Sequence, residues 1–417
     1  MKTAGNAHAL DRCDELGAMR RRFEIPRIDG APAVYLCGHS LGLMPRAARG
    51  HVERELARWG SAGVRGHFGT RGWYGYHRQF AAPLAKLTGA LRSEVVAMNS
   101  LTVNLHLLLA SFYRPQARSG RILIEKDAFP SDRYAVASQL AFHGRDPDTD
   151  LLELSAADPR QGIQASDLAA ALEKHRGEVA LVLLPGVQYL SGQVLDIGAL
   201  TQVAQRHRCR IGFDLAHAIG NTRLQLHEWG PDFAVWCSYK YLNGGPGAIG
   251  GCFVHSRHGA PDAVPRLAGW WGHDAERRFL MEHDFDPLPG AEGWQLSNPP
   301  VLAMAPLRAA LELFMTAGRR RLQKKTRALS AFMTERIAAL LGDAVEICTP
   351  AAARGAQISL RLRDTGLDAP ACAAALLDKR IVVDAREPDV LRLAAVPLYN
   401  RFSDIERALH ALAAVLR

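Results

Sequence analysis

From about residue 90 the chain alternates short apolar runs rich in β-branched residues with stretches of helical periodicity, and this alternation constrains the fold most. The runs are Val95 to Met98, Ile122 to Ile124, Leu151 to Leu154, Val179 to Leu184 and Ile211 to Asp214. Strands separated by helices predict a mostly parallel sheet covered by helices, an α/β architecture. Phe233 to Cys237 and Ile249 to Val254 add two strands, which brings the sheet to seven, and the turn Gly244 to Gly247 lies between them.

The chain has 417 residues, more than one hydrophobic core usually supports, so a large domain with a smaller companion is expected. The first fifty residues read as an N-terminal arm with a short strand, and residues 51–300 as the large domain. Beyond Asn298-Pro299-Pro300 a helical connector runs over 301–341, interrupted near Gly318. Residues 342–417 form a small C-terminal α/β domain. Its strands are expected near Val345 to Cys348, Ile358 to Leu362, Ile381 to Val383 and Val390 to Leu393, with helices at Pro370 to Asp378 and Ser403 to Leu416.

Composition narrows the function classes. Apolar content of 48% with 22% charged residues is ordinary for a soluble chain. No apolar run approaches the roughly 20 residues that cross a bilayer, so no membrane role is expected. The N-terminus lacks the apolar block of a secretion signal, which makes the cytoplasm the expected location. Seven cysteines without a CxxC pair suit separate thiols, with Cys237 and Cys252 in apolar surroundings. The net charge of +9 and the run Arg319 to Arg327 raise nucleic-acid binding. That run sits in a helical pattern with Leu322, Leu329, Phe332 and Ile337 on its apolar stripe, so a solvated face is the better reading and no nucleic-acid partner is expected.

The stretch Asp214 to Gly247 carries the most chemistry. An Asp closes one strand and Lys240 follows another, so both side chains are expected at the carboxyl ends of the strands, where α/β sheets bind ligands. Desolvation disfavours the charged form of a buried lysine and so favours a Schiff-base nucleophile. A carboxylate opposite the pyridine nitrogen of pyridoxal phosphate keeps that nitrogen protonated, which lets the ring accept electrons. Asp214 is the candidate for that carboxylate. His217 either lies beside the ring or is an ordinary helix-start histidine.

Two further clusters stand where strands hand over to helices. Asn99 to Leu109 (NSLTVNLHLLL) puts Ser100 and Thr102 at a helix start, where free N–H groups attract phosphate. Phe129-Pro130-Ser131-Asp132 repeats the arrangement with an aromatic face and a carboxylate. Gly38-His39-Ser40-Leu41-Gly42 matches the GxSxG elbow of serine hydrolases, but it precedes every strand of the main sheet, so a turn or substrate-lining loop is favoured over a Ser40 nucleophile. The Asp146, Asp148, Asp150 triplet lacks the later glutamate of a calcium loop, and no metal is assigned.

These stretches, with AFPSDRYAVASQL, GFDLAHAIGN, WCSYKYLNGGPGAIGG, GWWGH, SNPP and VPLYNRF, occur in the order seen in kynureninases. The chain resembles that family from GHSLG almost to its C-terminus. The resemblance implies a fold-type I pyridoxal-phosphate enzyme, a homodimer, with a mostly parallel seven-stranded sheet and a small C-terminal domain. It implies hydrolytic Cβ–Cγ cleavage of L-kynurenine or L-3-hydroxykynurenine to anthranilate or 3-hydroxyanthranilate and L-alanine, in tryptophan catabolism and NAD biosynthesis.

By the same resemblance Lys240 is the Schiff-base lysine, Asp214 the pyridinium partner and Phe129 the stacking ring. Leu101 and Thr102, with Asp132, His217 and Tyr239, hold the phosphate and ring substituents, and Tyr239 is the expected proton donor. Trp270 and Asn298 join the cofactor site. Arg392 pairs with the substrate's α-carboxylate. His67, Ser297 and Asn298 surround the substrate's aromatic ring and lean toward 3-hydroxykynurenine. Pro185 departs from relatives that offer a hydroxyl there, so the phosphate cup has one donor fewer. The rivals on the same scaffold are a cysteine desulfurase or an aminotransferase. A desulfurase usually has His before the lysine and a mobile cysteine, whereas this chain has Tyr239 and no obvious loop cysteine around Cys348.

Overall fold

The computed structural model describes residues 7–363 and 366–417. Seven strands form the large sheet: β1 (Val95–Val96), β2 (Arg121–Glu125), β3 (Leu151–Leu154), β4 (Val179–Pro185), β5 (Arg210–Asp214), β6 (Phe233–Trp236) and β7 (Gly251–Val254). Their order is β1-β7-β6-β5-β4-β2-β3. β3, β2, β4, β5 and β6 pair in parallel, and β7 runs against both its neighbours.

Successive side chains along a strand point to opposite faces, and here both faces are apolar. Ile122, Ile124, Leu181 and Leu183 enter one core with Leu105, Leu108 and Phe112 of helix α1 (Leu101–Phe112). Leu123, Val182 and Leu184 enter the other core with Leu200, Val203 and Leu311. Near-continuous apolar runs are what a sheet covered on both faces requires. The strand carboxyl ends are left as the place where polar groups gather.

Helix α2 (Pro130–Phe142) follows β2, and helices α3 (Val301–Ala317) and α4 (Arg319–Leu341) lead out of the large sheet. At Gly318, with φ 75°, the axis turns through 85°, a conformation that glycine adopts without a Cβ penalty. The basic run at the start of α4 is less solvated than its sequence suggests. Lys325 is buried in an ion pair with Asp14 at 2.7 Å, and Arg319 donates to the Leu224 carbonyl. The N-terminal arm supplies the acids that the run faces.

The C-terminal sheet holds β8 (Val345–Ile347), β9 (Gln357–Leu362), β10 (Asp384–Arg386) and β11 (Val390–Ala394), antiparallel in the order β8-β9-β11-β10. One expected strand is placed differently. Ile381–Val382 pairs in parallel with Val34–Tyr35 of the arm, and the edge strand of the small sheet is Asp384–Arg386. The apolar run met a partner from the other end of the chain, while the polar run beside it took the sheet edge. Ile358, Leu360, Leu391 and Leu393 pack with Leu329, Met333 and Leu409 in a separate core. Among the described residues no single helix is long and apolar enough to cross a membrane.

Candidate active site

The ends of β1, β2, β4, β5 and β6 open into one cleft lined by Thr102, Glu125, Phe129, Asp132, Asp214, His217, Tyr239 and Lys240, with Leu101, Ser131, Pro185, Val187, Tyr189 and Ala216. α1 and α2 both start here, and the N–H groups of a first helical turn have no partner within the helix. Thr102 and Ser131 are the second residues of these helices, and their hydroxyls lie 2.9 Å apart. Asn99 makes the entry to α1 with φ 48°, a left-handed conformation that Asn tolerates, and its Nδ2 donates to Asn104 Oδ1 at 3.0 Å. The cup formed by two helix starts suits a phosphate.

Lys240 lies on the turn after β6, half-buried, with Nζ 5.8 Å from the centroid of Phe129 and 5.9 Å from that of Tyr239. The turn is held from several sides. Asn243 N–H donates to the Lys240 carbonyl at 2.9 Å, and Gly244 N–H to the Ser238 carbonyl at 2.8 Å. Gly42 N–H donates to the Tyr239 carbonyl at 2.8 Å. A Cβ on Gly42 would stand 2.3 Å from both the Lys240 carbonyl oxygen and Asn243 Oδ1, so only glycine permits this approach. The GHSLG segment therefore buttresses the lysine turn. Ser40 is exposed, and among the described residues no histidine bonds its hydroxyl, which leaves a hydrolase reading without a base.

Asp214 closes β5, is 8% exposed, and accepts the Ala216 N–H at 2.7 Å. Burial raises its pKa, opposed by the Lys240 charge and the Ala216 N–H. Asp132 stands beside it, and burial followed by the Asp214 charge pushes its carboxyl well above the usual range. Glu125, the last residue of β2, is pushed up to about 8 by burial, with Asp127 and Asp214 adding to the rise. Three carboxyls thus crowd one side of the cleft and one amine occupies another. His217 is buried with no partner for Nδ1, and burial followed by the Lys240 charge holds it well below the ordinary histidine value. It is neutral at pH 7.

The parts fit pyridoxal phosphate group by group. The helix starts suit the phosphate, Phe129 offers a ring face, and Asp214 and Asp132 suit a protonated ring nitrogen. The partnerless Asp132 Oδ1 and His217 Nδ1 are buried polar atoms that a ligand can satisfy. Pro185 ends β4 opposite Asp214 and contributes no hydroxyl to the cup.

Arg392, on β11, is 1% exposed. Its Nε donates to Asp384 Oδ1 and its Nη1 to the Tyr189 carbonyl, both at 2.7 Å. Tyr189 lines the cleft, with its ring 5.3 Å from that of Phe129. Arg392 therefore stands behind the cleft wall and ties the small sheet to the loop after β4.

The other expected residues lie elsewhere in the chain. His67 and Asn298 share a second pocket with Trp59, Trp73, Tyr74 and Leu302, and His67 stacks on Tyr74 at 4.8 Å. Ser297 is exposed beside Asn298. Trp270 donates from Nε1 to the Arg278 carbonyl at 3.0 Å and packs edge-on to Phe279. None of these four lines the cofactor cleft of its own chain. Sequence reasoning missed Ser131, Glu125 and Tyr189. Ser131 gave the same signal as Thr102, a hydroxyl at a helix start, whereas Glu125 looked like an ordinary polar residue ending a strand.

A cleft at the carboxyl ends of a mostly parallel seven-stranded sheet, with a lysine facing an aspartate, defines the fold-type I class of pyridoxal-phosphate enzymes. The fold is similar to the cystine C-S lyase C-DES in complex with cysteine persulfide, with a TM-score of 0.77 and 20% identity over 91% of this chain and 97% of that one. It is equally similar to the Escherichia coli cysteine desulfurase CsdA, with a TM-score of 0.77 and 18% identity over 96% and 98%. The family model described as the kynureninase C-terminal domain matches residues 322–412. Kynureninase of Xanthomonas euvesicatoria pv. vesicatoria (strain 85-10) is 51% identical over 403 residues, 96% of this chain and 95% of that protein. Kynureninase of Xanthomonas campestris pv. campestris (strain B100) is 52% identical over 407 residues, at the same coverage. The chain belongs to the kynureninase family, and pyridoxal phosphate is its cofactor.

Proposed function

We propose that the protein hydrolyses the Cβ–Cγ bond of L-kynurenine or L-3-hydroxykynurenine, releasing anthranilate or 3-hydroxyanthranilate together with L-alanine. The observation that carries this reading is the placement of Lys240 and Asp214 in one cleft of a kynureninase-family chain. Bound pyridoxal phosphate supplies an electron sink, because its protonated ring draws in the electron pair left on the substrate when a bond breaks.

The chain's own residues do the rest. The backbone of Leu101 and the hydroxyls of Thr102 and Ser131 bind the phosphate, and Phe129 covers one face of the ring. Asp214, seconded by Asp132, holds the proton on the ring nitrogen. Neutral His217 offers a hydrogen bond to a ring substituent. Lys240 anchors the cofactor and, once the substrate displaces it, takes the α-proton through its ε-amine. Burial raises the Tyr239 hydroxyl above its ordinary value, which keeps it protonated and able to donate to the β-carbon. Arg392, behind the cleft wall formed by the Tyr189 loop, is the residue assigned to the α-carboxylate. Cys348, whose thiol burial pushes up, is a poor nucleophile for the desulfurase alternative.

The reading includes a cytoplasmic homodimer. Trp59 is 61% exposed and Phe68 56%, and Leu302 is exposed beside the pocket that holds His67 and Asn298. Such an apolar patch suits burial against a second copy, with His67, Ser297, Asn298 and Trp270 serving the partner's cleft. His67, Ser297 and Asn298 lean toward 3-hydroxykynurenine. The test is a side-by-side kinetic comparison of the two substrates with aromatic product and alanine both measured. Equal release of both products, with the larger kcat/KM on 3-hydroxykynurenine, is the expected result. Alanine release from neither substrate would overturn the function, and a reversed ratio would overturn the preference.

A further inference from the structure

At the other end of the large sheet, Glu94, His227 and His255 bring one ligand atom each to within 4.8 Å of one another. The three come from separate segments. Glu94 immediately precedes β1, His227 lies on the short helix Leu226–Trp229, and His255 immediately follows β7. Because β7 runs antiparallel, Val254 pairs with Phe233, the first residue of β6, so the cluster sits at the amino ends of the parallel strands. The cofactor cleft is at their carboxyl ends.

Glu94 is fully buried. Leu91 N–H donates to Oε2 and Ser256 N–H to Oε1, both at 2.8 Å, which fixes the carboxylate's orientation. His227 Nδ1 is 2.9 Å from Oε1, and its side chain is 43% exposed, which opens the cluster to solvent.

His255 supplies the third ligand. Its Nε2 meets the His227 carbonyl at 3.3 Å and so carries the proton, while its Nδ1 accepts the Arg257 N–H at 3.2 Å, a bond that an ion replaces on binding. Nδ1 lies 4.0 Å from Glu94 Oε1 with no proton between the two acceptors. They need to approach only slightly to share a tetrahedral ion with metal–ligand bonds of about 2.0–2.1 Å.

We propose that Glu94, His227 and His255 form a binding site for a divalent metal of the zinc type, with water completing the coordination on the exposed side. Two imidazoles and one carboxylate suit zinc better than calcium or magnesium, which take oxygen ligands. On binding, the ion replaces the proton on His227 Nδ1, and the ring and carboxylate move slightly apart from their present 2.9 Å. That proton goes to solvent, and no electron is transferred. The carboxylate's backbone donors are the outer partners that such ligands need. The ion would clip together three segments remote in sequence, so its role is in stability and not in the chemistry of the cleft.

The experiment uses cofactor-loaded, chelator-treated enzyme titrated with zinc chloride by calorimetry, alongside its thermal midpoint with and without zinc. One ion per chain and a raised midpoint are expected. His227→Ala, at an exposed position, and His255→Ala should each weaken binding by at least the roughly 10- to 100-fold that loss of even an outer partner costs. Both should leave zinc-free activity unchanged. His410→Ala, which removes the exposed histidine that meets Glu406, should bind zinc as the parent does. Failure to bind zinc, or equal binding by the His227→Ala/His255→Ala double variant, would overturn the site.

Discussion

Thr102 Oγ1 and Ser131 Oγ lie 2.9 Å apart, so two helices leaving different strands share one hydrogen bond at their first turns. The bond joins the two halves of the proposed phosphate cup. A hydrogen bond to a charged group contributes about 1.5–3 kcal/mol. Thr102→Ala and Ser131→Ala should therefore each weaken cofactor binding by roughly 10- to 100-fold. Cofactor titration of the stripped protein measures this, and an unchanged Kd in both variants would remove these hydroxyls from the cup.

The crowded carboxyls make the cofactor-free protein sensitive to pH. Glu125 is raised from 4.5 to about 8, so its contribution to stability is complete below 4.5 and is lost as pH climbs through about 8. Asp132 and Asp214 shift in the same direction. Glu125→Gln resembles the protonated form and should flatten the fall. Denaturant midpoints for both proteins across this window provide the check. A parent that gains stability relative to Glu125→Gln as pH rises would contradict the assignment.

The GHSLG segment serves geometry, and its glycine and serine should respond oppositely to substitution. Gly42→Ala forces a Cβ to 2.3 Å from the Lys240 carbonyl oxygen. Such overpacking costs about 1–3 kcal/mol, and it falls on the turn that carries the lysine. Ser40→Ala removes an exposed hydroxyl without a histidine partner and should keep most of the activity. Thermal melts and anthranilate release report on both. Loss of all activity in Ser40→Ala with an unchanged fold would return the nucleophile reading to consideration.

Arg392 holds Asp384 and the Tyr189 carbonyl in a fixed fork. Lysine cannot reproduce planar, multiple donation, so Arg392→Lys should lower kcat/KM by roughly 100-fold, about 2.7 kcal/mol. The loss should nearly vanish on a substrate analogue lacking the α-carboxylate. An equal loss on that analogue would mean that Arg392 only supports the wall of the cleft.

Much of this was legible in the chain because burial on both faces of a parallel sheet leaves a strong pattern. Val179 to Leu184 is apolar at every position, and the two cores divide it by alternation. Asp214 and Lys240 stood out as polar residues at strand ends. Pairings between distant segments were not legible. Nothing near Ile381 says that it pairs with Val34 instead of joining the small sheet, since both choices bury an apolar residue. The Asp146 triplet is explained by local geometry, with Asp146 capping a short helix and Asp150 paired with Arg145. Glu94, His227 and His255 carry no spacing signal at all, because folding alone brings them together.

The most direct test of the account is product stoichiometry from kynurenine with the cofactor-loaded protein and its Lys240→Ala and Asp214→Asn variants. The parent should release anthranilate and alanine in equal amounts. Lys240→Ala should lose at least the roughly 10²- to 10⁴-fold that a general base contributes, and Asp214→Asn should be slowed while still binding cofactor. Sustained release of both products by Lys240→Ala, or no anthranilate from the parent, would contradict it.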